Sequence, residues 1–137
     1  DVNVLIIGAG GATNGVVYGL QKYGVSSIAI TNRTDEKAQD IAKLFGVDVV
    51  DYSRYEGVID KYNLIINSTS LDFGDLISCC NEKTFYFDLK YYNSKPSLPN
   101  YIDGTQMLLY QGAKAFEIWT KIRAPIEVMR KAFGGLI

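Results

Sequence analysis

Apolar and polar positions along the first half of the chain predict strands and helices in turn. A short apolar run over 2–7 ends in glycines, which is typical of a buried parallel strand. The pattern then predicts a helix over 11–23, a strand over 25–31, a helix over 34–45 and a strand over 47–50. Thr34 is placed to N-cap the second helix, and Gly46 to end it. This order is one half of a doubly wound, mostly parallel α/β sheet flanked by helices.

The second half of the chain is less regular but continues the same architecture. We expect a short helix over 53–60, strands over 64–67 and 85–88, a long helix from Asp103 to about Lys121 and a last helix from Pro125 to about 134–135. Pro96 and Pro99 predict a loop over 94–101. Asp103 resembles an N-cap, and Gln106 would complete a capping box.

Helical spacing also predicts which faces of the long helix are used. Met107 and Gln111 are four residues apart and therefore share one face, which can point into a cleft. The opposite, core-facing stripe is predicted to consist of Leu108, Gly112, Ala115, Phe116 and Trp119.

Glycines follow the first predicted strand in the pattern that holds a dinucleotide. Gly8 permits a tight turn, and Gly10 lets the backbone approach a pyrophosphate closely. The helix that begins near Gly11 directs free N–H groups and its positive dipole end toward the phosphates. The third position of the fingerprint is Thr13, neither glycine nor alanine. Because the motif lies between a strand and a helix, it predicts a Rossmann-type nucleotide site over Gly8, Ala9, Gly10, Gly11 and Ala12.

The end of the second strand favours NADP over NAD. NAD-binding domains usually carry Asp or Glu there to bind the adenosine ribose, whereas this chain has Asn32, Arg33 and Thr34. A guanidinium can pair bidentately with a 2′-phosphate and stack on adenine, and Lys37 could add a second positive charge. Asp35 and Glu36 weaken that field, so NAD stays open as the second choice.

Composition removes several classes of function. The net charge of −1 provides no field for nucleic acid or an anionic membrane, and no apolar run is long enough to span one. Histidine is absent, which excludes Ser-His-Asp and Cys-His catalysis and most metal sites within this chain. Cys79 and Cys80 are adjacent and read as ordinary thiols in a cytoplasmic, reducing setting. Since the chain begins at Asp1 without a methionine, we expect one domain, residues 1–137, of a longer protein.

Five ordered motifs resemble the C-terminal, NADP-binding domain of shikimate dehydrogenases, across essentially the whole chain. They are Gly8-Ala9-Gly10-Gly11-Ala12, Asn32-Arg33-Thr34, Asn67-Ser68-Thr69-Ser70, Asp88-Leu89-Lys90-Tyr91 and Asp103-Gly104-x-x-Met107-Leu108-x-x-Gln111, with Ala115-Phe116-x-x-Trp119 trailing. Two positions depart from the family pattern. Asn14 stands where the family commonly has Arg, and 71–74 reads Leu-Asp-Phe-Gly where the family has Gly-Met.

The resemblance implies roles for individual residues. The glycine turn would hold the pyrophosphate, and the adenosine phosphate end would be held by Asn32, Arg33, Thr34 and Lys37. The groove and the nicotinamide would be bordered by Thr69, Ser70, Leu89, Gly104 and Met107. Tyr91 and Gln111 would reach the cyclohexene acid across a cleft. The family's Lys–Asp pair that handles the proton lies in an N-terminal substrate domain, so the resemblance places no catalytic residue here.

The function implied is reduction of 3-dehydroshikimate to shikimate with NADPH, in aromatic amino acid biosynthesis. A quinate/shikimate dehydrogenase of broader specificity is an alternative. A short-chain dehydrogenase, with Tyr-x-x-x-Lys at Tyr91/Lys95 or Tyr110/Lys114, is a weaker rival because such spacings arise by chance. A non-catalytic, dinucleotide-sensing module remains open too, because fold alone does not determine function.

Overall fold

The computed structural model describes residues 2–76, 82–91, 98 and 100–134. Asp1, Cys79, Cys80, Lys95, Pro96, Pro99 and Gly135, on which some of the expectations above rest, lie outside these residues. In the part of the chain that the structure describes, six strands form one sheet in the order β3-β2-β1-β4-β5-β6, and every neighbouring pair is parallel. The strands are β1 Asn3–Ile7, β2 Ser27–Thr31, β3 Asp48–Val49, β4 Leu64–Asn67, β5 Phe85–Asp88 and β6 Tyr101–Ile102. The doubly wound α/β architecture predicted from the sequence is confirmed.

The helices also follow the predicted order. They are α1 Gly11–Lys22, α2 Asp35–Phe45, α3 Phe73–Leu76, α4 Thr105–Thr120 and α5 Ile126–Ala132, with a 3₁₀ helix at Tyr55–Lys61 after β3. Gly46 ends α2 as predicted, because it adopts a left-handed φ of 66° and donates its N–H to Ala42 O at 2.8 Å. Thr34 occupies the N-cap position of α2, but its side chain makes no capping hydrogen bond to any described residue.

The sheet separates two apolar layers. Alternate residues of β1 point to opposite faces, so Leu5 and Ile7 join one buried cluster while Val4 and Ile6 join the other. All four side chains are fully buried, since β1 is central in the sheet and covered on both faces. The carboxyl ends of β1, β2 and β4 therefore meet at one edge, where the predicted site residues follow each strand.

Two short elements were not predicted. β6 is a two-residue strand at the end of the predicted 94–101 loop, where Tyr86 and Phe87 of β5 pair with Tyr101 and Ile102. The four-residue helix α3 follows β4. Both elements are too short for a hydrophobic period to appear in the sequence, and the pairing of β6 is determined by its tertiary neighbour.

The predicted capping box is wrong. Asp103 Oδ1 accepts a hydrogen bond from Thr105 N at 3.0 Å, so an aspartate does precede the helix. However, α4 begins at Thr105 with Gly104, which has no side chain, in the N-cap position, so Asp103 precedes the N-cap and binds the first helical N–H. Gln106 does not reach back to the backbone, because its Oε1 accepts a hydrogen bond from Arg130 Nη1 of α5 at 3.2 Å. A tertiary partner replaces the local one.

The predicted core-facing stripe of α4 is also wrong. The buried positions of α4 are Thr105, Leu109 and Ala113, spaced by four residues, whereas Trp119 is 81% exposed. Gly112, from the predicted stripe, lies near Met129 of α5. The large aromatic residues Phe116 and Trp119 therefore misled the choice of face, because Leu109 and Ala113 are the apolar residues of α4 that are buried.

Candidate functional site

The turn after β1 can be built only with glycine at position 8. Gly8 has a φ of 111°, which L side chains rarely adopt. A Cβ at this position would lie 2.8 Å from Thr69 Cγ2 and 2.9 Å from Ser68 O. The Gly8 N–H donates to Thr31 O at 2.7 Å. The turn is therefore pressed against the ends of the two strands that flank β1.

The start of α1 presents backbone donors to open space. Gly10 is the N-cap of this twelve-residue helix, and within the described residues no side chain caps it. A Cβ on Gly11 would have no neighbour within 4 Å. The first N–H groups of a helix lack intrahelical partners and carry the positive end of its dipole. An anion such as a pyrophosphate fits this position.

Thr13 is a structural part of the turn rather than a neutral departure from the fingerprint. Its side chain is fully buried. Its Oγ1 donates to Gly8 O at 3.1 Å and lies 2.8 Å from Ser68 Oγ in a second hydrogen bond. One hydroxyl thus joins the glycine turn, the first turn of α1 and the loop after β4.

The loop after β4 is held by the buried amide of Asn67. Its Oδ1 accepts hydrogen bonds from Thr69 N at 2.9 Å and Thr69 Oγ1 at 2.7 Å. Its Nδ2 donates to Leu71 O at 3.0 Å and to Asp88 Oδ1 of β5 at 3.3 Å. Because a buried polar group must find partners, this amide determines the path of the loop.

A lysine from the end of β5 closes the same loop from the other side. Lys90 Nζ donates to Ser70 O at 3.0 Å and to Asp72 Oδ1 at 3.0 Å. Its N–H donates to Asp88 Oδ1 at 3.0 Å. The loops after β4 and β5 are therefore joined at the sheet edge.

The loop after β2 is hydrogen-bonded to the glycine turn, and it carries an arginine whose side chain is not engaged by the described residues. Asn32 Oδ1 accepts a hydrogen bond from Ala9 N at 3.2 Å, and its Nδ2 donates to Thr34 O at 2.7 Å. The next residue, Arg33, is exposed and makes no hydrogen bond or ion pair within the described part of the chain. A guanidinium near the start of a helix whose first N–H groups lack partners is suited to a phosphate.

These loops enclose a cavity of about 320 Å³ at the sheet edge. Five of its lining residues were predicted, namely Gly8, Asn32, Arg33, Thr69 and Ser70, and two were missed, Tyr52 and Leu71. An adjoining cavity of about 400 Å³ shares Asn32, Arg33 and Tyr52 with the first one. Tyr52 follows the carboxyl end of β3, so the rule that ligands bind beyond strand ends could have found it.

The remaining predicted residues are more dispersed. Ala12 and Met107 line an apolar groove of about 730 Å³ between α1 and α4. Gly104 lies against Leu89, and its N–H donates to Lys90 O at 2.7 Å. The predicted residues that are exposed and line none of these three cavities are Gly10, Gly11, Thr34, Lys37, Tyr91 and Gln111.

One acidic residue near the cavity has a lowered pKa. The Ser53 hydroxyl and the Ser53 N–H donate to Asp51 Oδ1 at 2.7 and 2.8 Å, and these bonds hold the pKa of Asp51 below its ordinary value. Asp51 is therefore a carboxylate at neutral pH.

The parallel sheet, the glycine turn and the cavity beside it define a Rossmann-type α/β domain. Family models match in two segments: residues 1–73 as "Shikimate / quinate 5-dehydrogenase" and residues 104–132 as "Shikimate 5'-dehydrogenase C-terminal domain". The chain belongs to the shikimate/quinate 5-dehydrogenase family, as its motifs predicted.

Individual relatives agree with this assignment. The chain is 36% identical to the shikimate dehydrogenase (NADP(+)) of Nitrosopumilus maritimus, over 97% of this chain and 55% of the relative. It is 38% identical to that of Methanococcus aeolicus, over 96% and 54%. The crystal structure of Aquifex aeolicus shikimate dehydrogenase matches with a TM-score of 0.81 and 33% identity, over 98% and 54%.

A second solved structure is described with ligands. Thermus thermophilus shikimate 5-dehydrogenase, in complex with NADP(H) and shikimate, matches with a TM-score of 0.76 and 25% identity, over 100% of this chain and 56% of that one. The chain thus spans about half the length of the relatives it matches. In the described residues, every helix is too short or too polar to cross a membrane.

Proposed function

We propose that this chain is the NADP-binding part of a dehydrogenase that interconverts 3-dehydroshikimate and shikimate. The reduction would serve aromatic amino acid biosynthesis in the cytoplasm. The observation that carries the proposal is the juxtaposition of an uncapped helix start with the free guanidinium of Arg33 beside one cavity. The names of the relatives support the choice of NADP and of shikimate.

The residues fit a dinucleotide at this edge. The turn formed by Gly8, Ala9, Gly10, Gly11 and Ala12 would hold the pyrophosphate, with the N–H groups of the last three directed at it. The N–H groups of Gly8 and Ala9 instead hold the turn, since they donate to Thr31 O and Asn32 Oδ1. Asn32, Arg33, Thr34 and Lys37 would hold the adenosine end and its 2′-phosphate. Thr69 and Ser70 would line the groove that leads to the nicotinamide, which would be bordered by Leu89, Gly104 and Met107. When bound, the nicotinamide supplies or accepts the hydride.

The substrate would be bound jointly by this chain and by a further part of the polypeptide, such as the longer relatives possess. Tyr91 is 53% exposed and Gln111 is exposed, so both side chains are accessible to a molecule outside this domain. We propose that both contact the cyclohexene acid and that the pair of residues handling the proton lies outside this chain. This chain would bind and orient the cofactor.

The binding test is Arg33→Ala. Loss of a hydrogen bond to a charged phosphate should weaken NADP binding by about 1.5–3 kcal/mol, while NAD binding, which lacks that phosphate, should barely change. The matched control is Arg123→Ala, which removes the same charge from an exposed residue after α4. Both cofactors are titrated calorimetrically. Equal losses for NAD and NADP would place Arg33 away from the 2′-phosphate.

The activity test uses the full-length protein. We expect NADP⁺ reduction with shikimate, and a comparison with quinate decides between strict and broad specificity. Gln111→Ala should raise the KM for shikimate while leaving cofactor affinity unchanged. The isolated domain should not turn over substrate. Absence of turnover by the full-length protein at saturating substrate would reject the enzymatic proposal and favour a sensing module.

A further inference from the structure

Two carboxylates line the same cavity as Arg33. The cavity of about 400 Å³ beyond the ends of β2 and β3 is lined by Asn32, Arg33, Asp35, Gln39, Val49, Asp51 and Tyr52. Among the described residues that line it, Arg33 alone is positively charged. A ligand in this cavity therefore meets a guanidinium together with acidic groups, which is an unusual environment for a phosphate alone.

The register of the sheet explains how Asp51 reaches this place. Ile30 of β2 pairs with Val49 of β3, and Val50 N donates to Ile30 O at 2.9 Å. Two residues beyond that pair, Asp51 comes beside Asn32, at the carboxyl ends of both strands. Asp51 thus stands next to the position where NAD-binding domains carry an acidic residue at the end of their second strand.

The hydrogen bonds of Asp51 leave one of its oxygens available. Ser53 donates both its N–H and its hydroxyl to Oδ1, which fixes the carboxylate. Within the described residues Oδ2 accepts no hydrogen bond. The other acidic residue of the cavity, Asp35, is the first residue of α2, where the helix dipole offsets part of its charge. Asp51 is therefore a carboxylate of fixed orientation beside Arg33, although the nearby Arg54 offsets part of its charge.

We propose, building on the proposed function, that Asp51 determines cofactor specificity from the third strand. Its carboxylate accepts a hydrogen bond from the adenosine ribose of NAD and repels the 2′-phosphate of NADP. Arg33 attracts that phosphate. Because the two residues act in opposite directions, the difference in affinity between NADP and NAD is small, and the site accepts NAD as a second cofactor.

The test is Asp51→Asn in the full-length protein. The amide can still accept the Ser53 N–H bond, so the loop should keep its conformation. NADP should bind about three- to tenfold more tightly, because one exposed charge pair is worth about two- to fivefold and the 2′-phosphate carries close to two charges. NAD should bind about two- to fivefold more weakly, because a charged acceptor is lost.

The matched control is Asp48→Asn, which removes the same charge from an exposed residue at the opposite end of β3. It should change neither dissociation constant by more than about twofold, since the charge lies away from the cavity. Raising the ionic strength should shrink the NADP gain of Asp51→Asn. If Asp51→Asn leaves the ratio of the NAD and NADP dissociation constants unchanged, whether or not both constants shift together, the role of Asp51 is wrong while the proposed function still stands. If the wild-type protein binds neither cofactor, both proposals are wrong.

Discussion

The hydroxyl of Thr13 offers a quantitative test of how the glycine turn is held. The perturbation is Thr13→Val, which replaces the hydroxyl by a methyl group of similar shape. Thr13 is fully buried, and its Oγ1 makes hydrogen bonds of 3.1 Å to Gly8 O and 2.8 Å to Ser68 Oγ. Water cannot replace either bond without entering the turn.

The expected loss follows from those two bonds. Each buried hydrogen bond contributes about 0.5–1.5 kcal/mol, so Thr13→Val should lower the free energy of unfolding by about 1–3 kcal/mol. The pair with Ser68 can be isolated by adding Ser68→Ala. In a double-mutant cycle the coupling between the two positions should be about 0.5–1.5 kcal/mol.

The assay is urea denaturation followed by far-ultraviolet circular dichroism, since the single tryptophan, Trp119, is 81% exposed and reports poorly on the core. The control is Thr120→Val at the exposed end of α4, where Oγ1 also makes two hydrogen bonds, to Phe116 O and from Ile122 N. Because water can replace those bonds, the control should cost less than about 0.5 kcal/mol. A Thr13–Ser68 coupling below about 0.3 kcal/mol would refute the reasoning.

Other expectations concern the core and two glycines. Tyr55→Phe removes a 2.8 Å hydrogen bond to Leu76 O and should cost about 0.5–1.5 kcal/mol in urea unfolding at pH 7. Burial raises the pKa of Tyr55 above 10.0, so its stabilisation is complete below pH 10 and is lost as the pH rises through the raised pKa. Tyr55→Phe should therefore flatten the alkaline loss of stability, and an unchanged profile would contradict this. Gly104→Ala, whose Cβ would overlap Leu89 O, should cost about 3 kcal/mol or more. Gly112→Ala, with only an ordinary contact in the middle of α4, should gain about 0.5–1 kcal/mol in thermal melts.

The long elements of this fold could be predicted because local pattern and tertiary packing agree. The buried run of β1 and the left-handed Gly46 at the end of α2 are examples. Elements that depend on a distant partner could not be predicted. Gln106 was expected to cap its own helix, yet Arg130 from the next helix binds it. The partners of such a polar side chain are not visible in a local pattern.

The residues of the candidate site also differ in whether local sequence or a distant partner determines their position. Gly8, Arg33 and Thr69 could be named from the sequence because each lies within two residues of the end of a predicted strand. Asp51 and Tyr52 follow β3, but that strand has only two residues, and its register with β2 determines where they lie. The proposed roles of Tyr91 and Gln111 depend on atoms outside this chain and therefore remain predictions.

The two outermost strands, β3 and β6, have a wider consequence. Each contributes only two residues to the sheet. A strand at the edge of a sheet can pair with another chain through its row of unpaired backbone donors and acceptors. Edge strands as short as β3 and β6 provide few of these groups. A strand from another chain would find few backbone groups to pair with, so this domain should resist edge-to-edge polymerisation even though the loops that line the cavity stay accessible.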